Sequence, residues 1–314
     1  MCTAVSYHNG NAYFGRNLDL ERGYGERVVV TPRKYKFPMR CLGTFVSRYA
    51  MIGMAVVADG FPLYFEATNE RGLSAAGLNF PGNAYYPEYE SGKKNVTPFE
   101  LIPWILGQCE TVDDVKALVR GLNLVNIDFN EDLKLSPLHW MVSDREKSIV
   151  IESVRDGLKV YDNSFEVLTN NPPFEYHRIN MSNYMGLSVG PAKMEFSKKL
   201  LMDNYSLGMG ALGLPGDFSS ASRFIRACFV KENSIATKDE RSSVNQFFHI
   251  LDAVAMPRGC VWTENGFEYT RYSCCCNTNC GIYYYKTYDN PEIRAVEMGK
   301  IDLNRKELKI FEIS

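Results

Sequence analysis

No run in this 314-residue chain is apolar over a bilayer's length: the longest, such as Met51–Ala58, fall far short of the ~20 residues a spanning helix needs. Charge excess is missing too. Thirty-five Lys and Arg face 37 Asp and Glu, for a net charge of −2, and no basic tract interleaves with aromatics, which argues against a nucleic-acid partner. Histidine is scarce. The four residues, at 8, 139, 177 and 249, are scattered singly and are expected to be satisfied structural side chains rather than ligands or bases. Nine cysteines are present, yet zinc-type pairs of Cys-x2-Cys spacing are not. Four crowd into Cys274–Cys280, and Cys260 supplies no second pair, so that cluster reads as a buried strand of small hydrophobes in a reducing compartment. No metal or organic cofactor is expected. The residues after Cys2 lack a charged-then-apolar leader pattern, and the expectation is a cytoplasmic protein without stable membrane association. No linker, low-complexity run or internal repeat divides the chain, which predicts one domain over residues 1–314, or 2–314 once Met1 is removed.

What is present is a succession of short strand-like runs. Thr3–Tyr7 and Ala12–Arg16 flank His8-Asn9-Gly10-Asn11, whose Asn-Gly signals a hairpin. Runs at Arg27–Thr31, Met51–Ala58, Pro62–Thr68 and Leu73–Phe80 follow, several apolar on both faces, as in a sheet covered on each side. Thr97-Pro98-Phe99-Glu100 is a capping box that opens a helix, and a second helix starts at Thr111. Strands at Leu138–Val142, Ser148–Ser153, Leu158–Tyr161 and Phe165–Leu168 run into Thr169-Asn170-Asn171-Pro172-Pro173, where the prolines stop the strand and leave Asn170 at its end. Helices are expected at Tyr176–Met185, from Ser219-Ser220 through Lys231, and at Val244–Ala255; strands return from Cys260 onward. This order predicts an α+β fold built in layers.

The chemistry centres on the beginning of the chain. Removal of Met1 would put a thiol and a free α-amine on Cys2. An amine titrating at about 7.7–8.0 can take the proton of a thiol titrating at about 8.5, so nucleophile and base sit on one residue. Gly15-Arg16-Asn17-Leu18-Asp19 returns beside Cys2 through the hairpin. A guanidinium there favours thiolate, and a carboxylate holds the amine. Read from spacing alone, Arg16 and Asp19 fit equally an ion pair near a turn, which contributes little.

Met1-Cys2-Thr3, Tyr13–Asp19, Ala76–Gly82, Leu168–Pro172, Ser222-Arg223-Phe224 and Tyr283–Asn290 together resemble the choloylglycine hydrolase family, in family order across nearly the whole chain. The resemblance implies the four-layer αββα fold of N-terminal-nucleophile hydrolases, with two stacked antiparallel sheets. It implies Cys2 as nucleophile with its α-amine as base, and Arg16 and Asp19 as the groups that orient and polarise it. Asn170 then helps hold the oxyanion and the amine, and Arg223 is a second arginine close to the thiol. Asn79 occupies the position where bile salt hydrolases carry asparagine and many penicillin V acylases carry tyrosine. The implied reaction is hydrolysis of the amide in glycine- or taurine-conjugated bile salts through a thioester, by a homotetramer. A rigid steroid wants an apolar groove, for which the loops carrying Leu20, Tyr24 and Phe61 are the candidates beside Asn79. Leu20–Gly25 differs in detail from common members, which leaves substrate preference open. Rival readings are a penicillin V or acyl-homoserine-lactone acylase with the same centre, a metal or redox protein built on Cys274–Cys280, and a non-catalytic bile-acid binder.

Overall fold

The computed structural model describes residues 1–313. Two antiparallel sheets form its middle. The first, of seven strands, runs Val167–Leu168, Cys2–Asn9 (β1), Asn11–Leu20 (β2), Gly266–Asn277, Ile282–Thr287 and Arg294–Glu297, with Val261–Thr263 paired to the long Gly266–Asn277 strand. The second, of eight strands, runs Gly157–Asp162, Ser148–Val154, Leu138–Ser143, Ser74–Asn79, Phe61–Asn69, Met51–Ala58, Arg27–Thr31 and Lys309–Glu312. Helices Ser220–Glu232 and Glu240–Asp252 cover the outer face of the first sheet; helices Leu101–Leu106 and Val112–Leu118 cover that of the second. The fold is the four-layer αββα architecture, and its central strands, such as Cys2–Asn9, Asn11–Leu20 and Ser148–Val154, are buried on both sides because each sheet is covered twice.

Two cores follow from this layering. One joins the first sheet to its helices and to the inner face of the second, through Phe14, Leu18, Phe224, Phe247 and Met141. The other lies beneath the short helices and holds Trp104, Trp140, Val115 and a ring of phenylalanines. Local sequence explains the element starts. Thr111 caps its helix by accepting from Asp114 N–H, and Ser219 caps the Ser220 helix by accepting from Ser222 N–H. The Thr97 box opens a single 3-10 turn, Pro98–Glu100, before the short Leu101–Leu106 helix. The last helix begins earlier than apolar periodicity indicates, because Asp239 caps it and its first turn is polar. Gly15 is required by close packing: a Cβ there would lie 1.9 Å from the Cys274 carbonyl oxygen. The cysteine run does form a buried strand, with Cys274, Cys275 and Cys276 inside it and Cys280 exposed beyond. No helix among the described residues is long and apolar enough to cross a membrane.

Candidate active site

Cys2 is the first residue of β1 and pairs with Leu18 of β2, followed by Thr3 with Asn17 and Ala4 with Arg16. Met1 extends this ladder by one step: its α-amine donates to Asp19 O at 2.9 Å, and Asp19 N–H donates back to Met1 O at 3.0 Å. The ammonium of Met1 also meets the buried Glu268 carboxylate. Burial pushes this α-ammonium below its usual value; charge on Cys2 and Asp19 opposes that and the Arg223 guanidinium adds to it. The Met1 amine is therefore biased toward its neutral form.

Strand alternation sends neighbouring residues to opposite faces. On the inner face, Arg16 points between the sheets, fully buried, and donates from Nη1 to Phe65 O at 3.1 Å and Gly77 O at 2.6 Å. Phe65 is the extra residue of a bulge in the second sheet, where the pairing slips between Met54 and Ala55; the slip frees its carbonyl from the ladder. Arg16 Nε lies 3.8 Å from Glu66, which also accepts from the Tyr272 and Tyr283 hydroxyls at 2.7 and 2.6 Å. Burial alone would lower the Arg16 pKa, yet charge on Cys2, Tyr272 and Glu66 outweighs it and the net direction is up. Its Nη2 is buried without a partner among the described residues. On the outer face, Asp19 Oδ1 accepts from Thr270 Oγ1 at 2.6 Å beside a second bulge at Arg271, whereas Asp19 Oδ2 is buried with no partner among the described residues.

Two further elements converge on Cys2. Arg223, in the first turn of the Ser220–Glu232 helix, donates from Nη1 to Cys2 O and to Thr3 Oγ1 (2.7 Å), and from Nη2 to Asn170 Oδ1 (2.7 Å). Burial lowers its pKa, against the charges of Asp19 and Cys2. Asn170 Oδ1 also accepts the Cys2 backbone N–H at 2.8 Å, and Asn170 Nδ2 donates to Asn79 O at 2.7 Å. The carbonyl end of Asn170 thus faces the Cys2 nitrogen, while its amide end is committed to the Asn79 backbone. Cys2, Arg16, Asp19, Asn170, Arg223 and the backbone of Asn79 are brought together from five separate elements.

The groove residues fare differently. Leu20 is half-buried against the first core. Tyr24 is 47% exposed with the Arg22 guanidinium 5.4 Å over its ring. Phe61 does not line a groove: it is 2% exposed and packs edge-on to Phe37 (5.5 Å) and Phe99 (6.0 Å) in the second core, away from the Cys2 cluster. The Asp59-Gly60 turn before it is tight, with both residues at positive φ, so no loop carries Phe61 outward. Glu66 and Thr270 carry no local signal, and only the sheet register brings them to the site; His139 and His177 are buried and hydrogen-bonded to backbone carbonyls, as expected of structural histidines. Among the described residues no group of three or more His, Cys, Asp or Glu is arranged to hold a metal.

The model of the linear amide C–N hydrolases, choloylglycine hydrolase family, matches residues 2–311. A bile salt hydrolase/transferase of Lactiplantibacillus plantarum is 52% identical over 309 residues, covering 98% of this chain and 95% of that protein. A conjugated bile acid hydrolase of Lactobacillus gasseri is 38% identical over 98% of this chain and 99% of its own. Among solved structures, the mutant C2A conjugated bile acid hydrolase of Clostridium perfringens superimposes with a TM-score of 0.92 at 35% identity, covering 100% of this chain and 97% of that one. A penicillin V acylase of Agrobacterium tumefaciens shares the fold, with a TM-score of 0.79 at 18% identity over 99% of this chain and 91% of that one.

Proposed function

This chain belongs to the choloylglycine hydrolase family of linear amide C–N hydrolases, and from that premise we propose that it hydrolyses glycine- and taurine-conjugated bile salts with Cys2 as nucleophile. The observation that carries the reading is the set of partners around Cys2: Asn170 Oδ1 on its nitrogen, Arg223 on its carbonyl, and an unfilled Asp19 Oδ2 on the adjoining strand. Removal of Met1 converts the Cys2 N–H into an amine with one further hydrogen, or two in the ammonium form, and Asp19 Oδ2 is proposed as an acceptor for one of them.

In this mechanism the amine takes the thiol proton and Sγ attacks the amide carbonyl, with Arg16 and Arg223 supplying positive charge nearby. The Asn79 side-chain amide stabilises the resulting oxyanion; such a donor contributes about 2.7–4 kcal/mol to the transition state. Asn170 holds the amine in line. The ammonium returns a proton to the leaving nitrogen, glycine or taurine departs, and a thioester remains on Cys2. Water then attacks the thioester carbonyl, its proton passing to the amine, and the freed bile acid leaves a regenerated thiol. Leu20 and Tyr24 are the apolar groups proposed to meet the steroid.

We propose a homotetramer in the cytoplasm. Self-association is supported by the segment following the Phe174–Asn180 helix, where Phe196 (88%), Leu201 (95%) and Leu207 (100%) stand exposed. Nine free thiols support a reducing compartment.

The test is release of glycine from glycocholate and taurine from taurocholate, with penicillin V alongside, reductant present, and intact mass reporting Met1. Bile-salt turnover that vanishes in Cys2→Ala supports the reading. Turnover of penicillin V in preference to both bile salts moves the protein to the acylases. A processed, folded enzyme that turns over neither overturns it.

A further inference from the structure

Asn170 follows the two-residue strand Val167–Leu168, and the backbone there is gripped by two buried rings. Asn170 O accepts from His177 Nε2 at 2.9 Å; the preceding carbonyl, Thr169 O, accepts from His139 Nε2 at 2.9 Å. Both rings are fully buried. A carbonyl oxygen only accepts, so each Nε2 carries a hydrogen. For His177 this fixes the tautomer: its Nδ1 is buried with no partner among the described residues, and a second proton there would have nothing to bond. His139 Nδ1 meets Glu152 Oε1 at 3.0 Å, an oxygen that also accepts Phe174 N–H at 2.9 Å where the Phe174–Asn180 helix begins. From the opposite side, Ser220 Oγ accepts Asn170 N–H at 2.8 Å and donates to Thr169 Oγ1 at 2.9 Å. The rings are clamped in turn: Phe80 stacks on His139 with centroids 4.2 Å apart, and Phe224 stacks on His177 at 4.8 Å.

We propose that His177 and His139 are positioning residues for amide hydrolysis: by holding the carbonyls of residues 170 and 169 they fix the Asn170 backbone, and through it the oxygen that orients the Cys2 amine. This rests on the reading of Cys2 as the nucleophile. The need for such a grip is geometric. Asn170 Oδ1 must meet the Cys2 nitrogen and Arg223 Nη2 at once, and a shift of about 1 Å in a group that positions a reacting atom costs up to about 10²-fold in rate. Packed around His177 are the charged or titratable groups His139, Glu152 and Arg223. Their arrangement links the new pair to the site, since Arg223 bonds the side-chain Oδ1 of Asn170 while His177 bonds the backbone carbonyl of the same residue.

The experiment compares mature wild type with His177→Phe, which keeps a ring against Phe224 and deletes the donor, and His177→Gln, which restores an N–H near the Nε2 position. Two readouts are taken: taurocholate kinetics, and the pH dependence of Cys2 alkylation by iodoacetamide, followed on the Cys2 peptide by mass spectrometry, which reports that thiol without substrate and apart from the exposed Cys260 and Cys280. The expected result for His177→Phe is a kcat lower by about 10- to 100-fold with KM within about twofold, and an alkylation midpoint displaced by about half a pH unit or more. His177→Gln should recover most of both. A folded His177→Phe enzyme with wild-type kcat and an unmoved midpoint overturns the proposal; so does a loss of kcat with an unmoved midpoint and no rescue by Gln, which marks a merely structural ring. If His177→Phe does not fold, His177→Asn, whose amide stops short of the carbonyl, is read by the same outcomes. A wild type inert toward taurocholate defeats the bile-salt reading alone, because the alkylation profile still decides the positioning role.

Discussion

The first sheet carries thiols in two places, and only one of them is built for reaction. Cys274, Cys275 and Cys276 lie in mid-strand, hydrogen-bonded into ladders on both sides and buried between layers. Burial pushes all three thiols up, Cys274 and Cys275 well above the usual range and Cys276 to about 12. Cys274 shares Arg16 with the site, as its ladder partner, yet burial and the Glu66 charge outweigh that guanidinium. Cys2 stands at a strand end, beyond the last rung of the pairing with Val167–Leu168 at Ala4, so on that side its backbone groups are met by Asn170 and Arg223. The difference is position along the strand, not the count of thiols: a strand's middle spends its polar groups on neighbours, and its end presents them to other elements.

The strongest way to break this comparison is to exchange the roles of the two places by mutation. Cys2→Ala should lower kcat by at least about 10⁴-fold, since the nucleophile is lost and the α-amine that acts with it as a unit is left with no thiol to deprotonate. Cys275→Ala should leave kcat within about threefold, its cost falling on stability through a small buried cavity. Steady-state turnover of taurocholate and a denaturant melt of each variant decide this. An inactive, folded Cys275→Ala enzyme would erase the distinction.

A smaller effect is expected at Asn170. Asn170→Ala removes the acceptor from the Cys2 nitrogen and leaves Arg223 Nη2 short of a partner. The expected loss is about 10²–10³-fold in kcat, the scale seen when a preorganised polar contact to the reacting centre is deleted. If Asn170→Ala turns over within about fivefold of wild type, the strand end is not what sets Cys2 apart.

These residues differ in how far the sequence exposes them. Cys2, Arg16 and Asp19 are legible because a hairpin with an Asn-Gly tip fixes which residues return beside the chain start, and the register confirms that return. The layered fold is legible from strands apolar on both faces. Asn170 and Arg223 are legible only as part of the family pattern, since their meeting depends on a strand end and a helix 53 residues apart. His139, His177 and Glu152 are not legible at all: an isolated histidine carries no period and no spacing, and its partner carbonyls are chosen by tertiary packing. Phe61 shows the opposite error. A phenylalanine after Asp-Gly reads as a loop residue near a groove, but three-dimensional packing gives it Phe37, Phe99 and Phe129 as neighbours and buries it in the second core.

The last difference between the two places is their response to acid. Burial holds the His177 pKa down to about 4, with the Asn170 carbonyl and Glu152 acting the other way and His139 and Arg223 adding to the lowering. In the unfolded chain the same imidazole titrates near about 6.5. Between these values the unfolded state binds the proton and the folded state does not, so stability falls as pH drops from about 6.5 to about 4 and changes no further below that. A gap of about 2.5 pH units corresponds to about 3 kcal/mol at most. Glu66 reaches the thiol strand from the Phe61–Asn69 strand of the second sheet; burial raises its pKa despite Arg16 and the two tyrosines, so its contribution has the opposite slope. The difference between wild type and His177→Phe cancels Glu66 and every other shared group. Denaturant unfolding of both proteins at pH 7 and pH 4 should therefore show wild type losing about 3 kcal/mol more than the variant over that interval. Equal losses would mean that His177 takes up its proton in the folded state without resistance, and that the strand end is no more sensitive to acid than the thiol strand beside it.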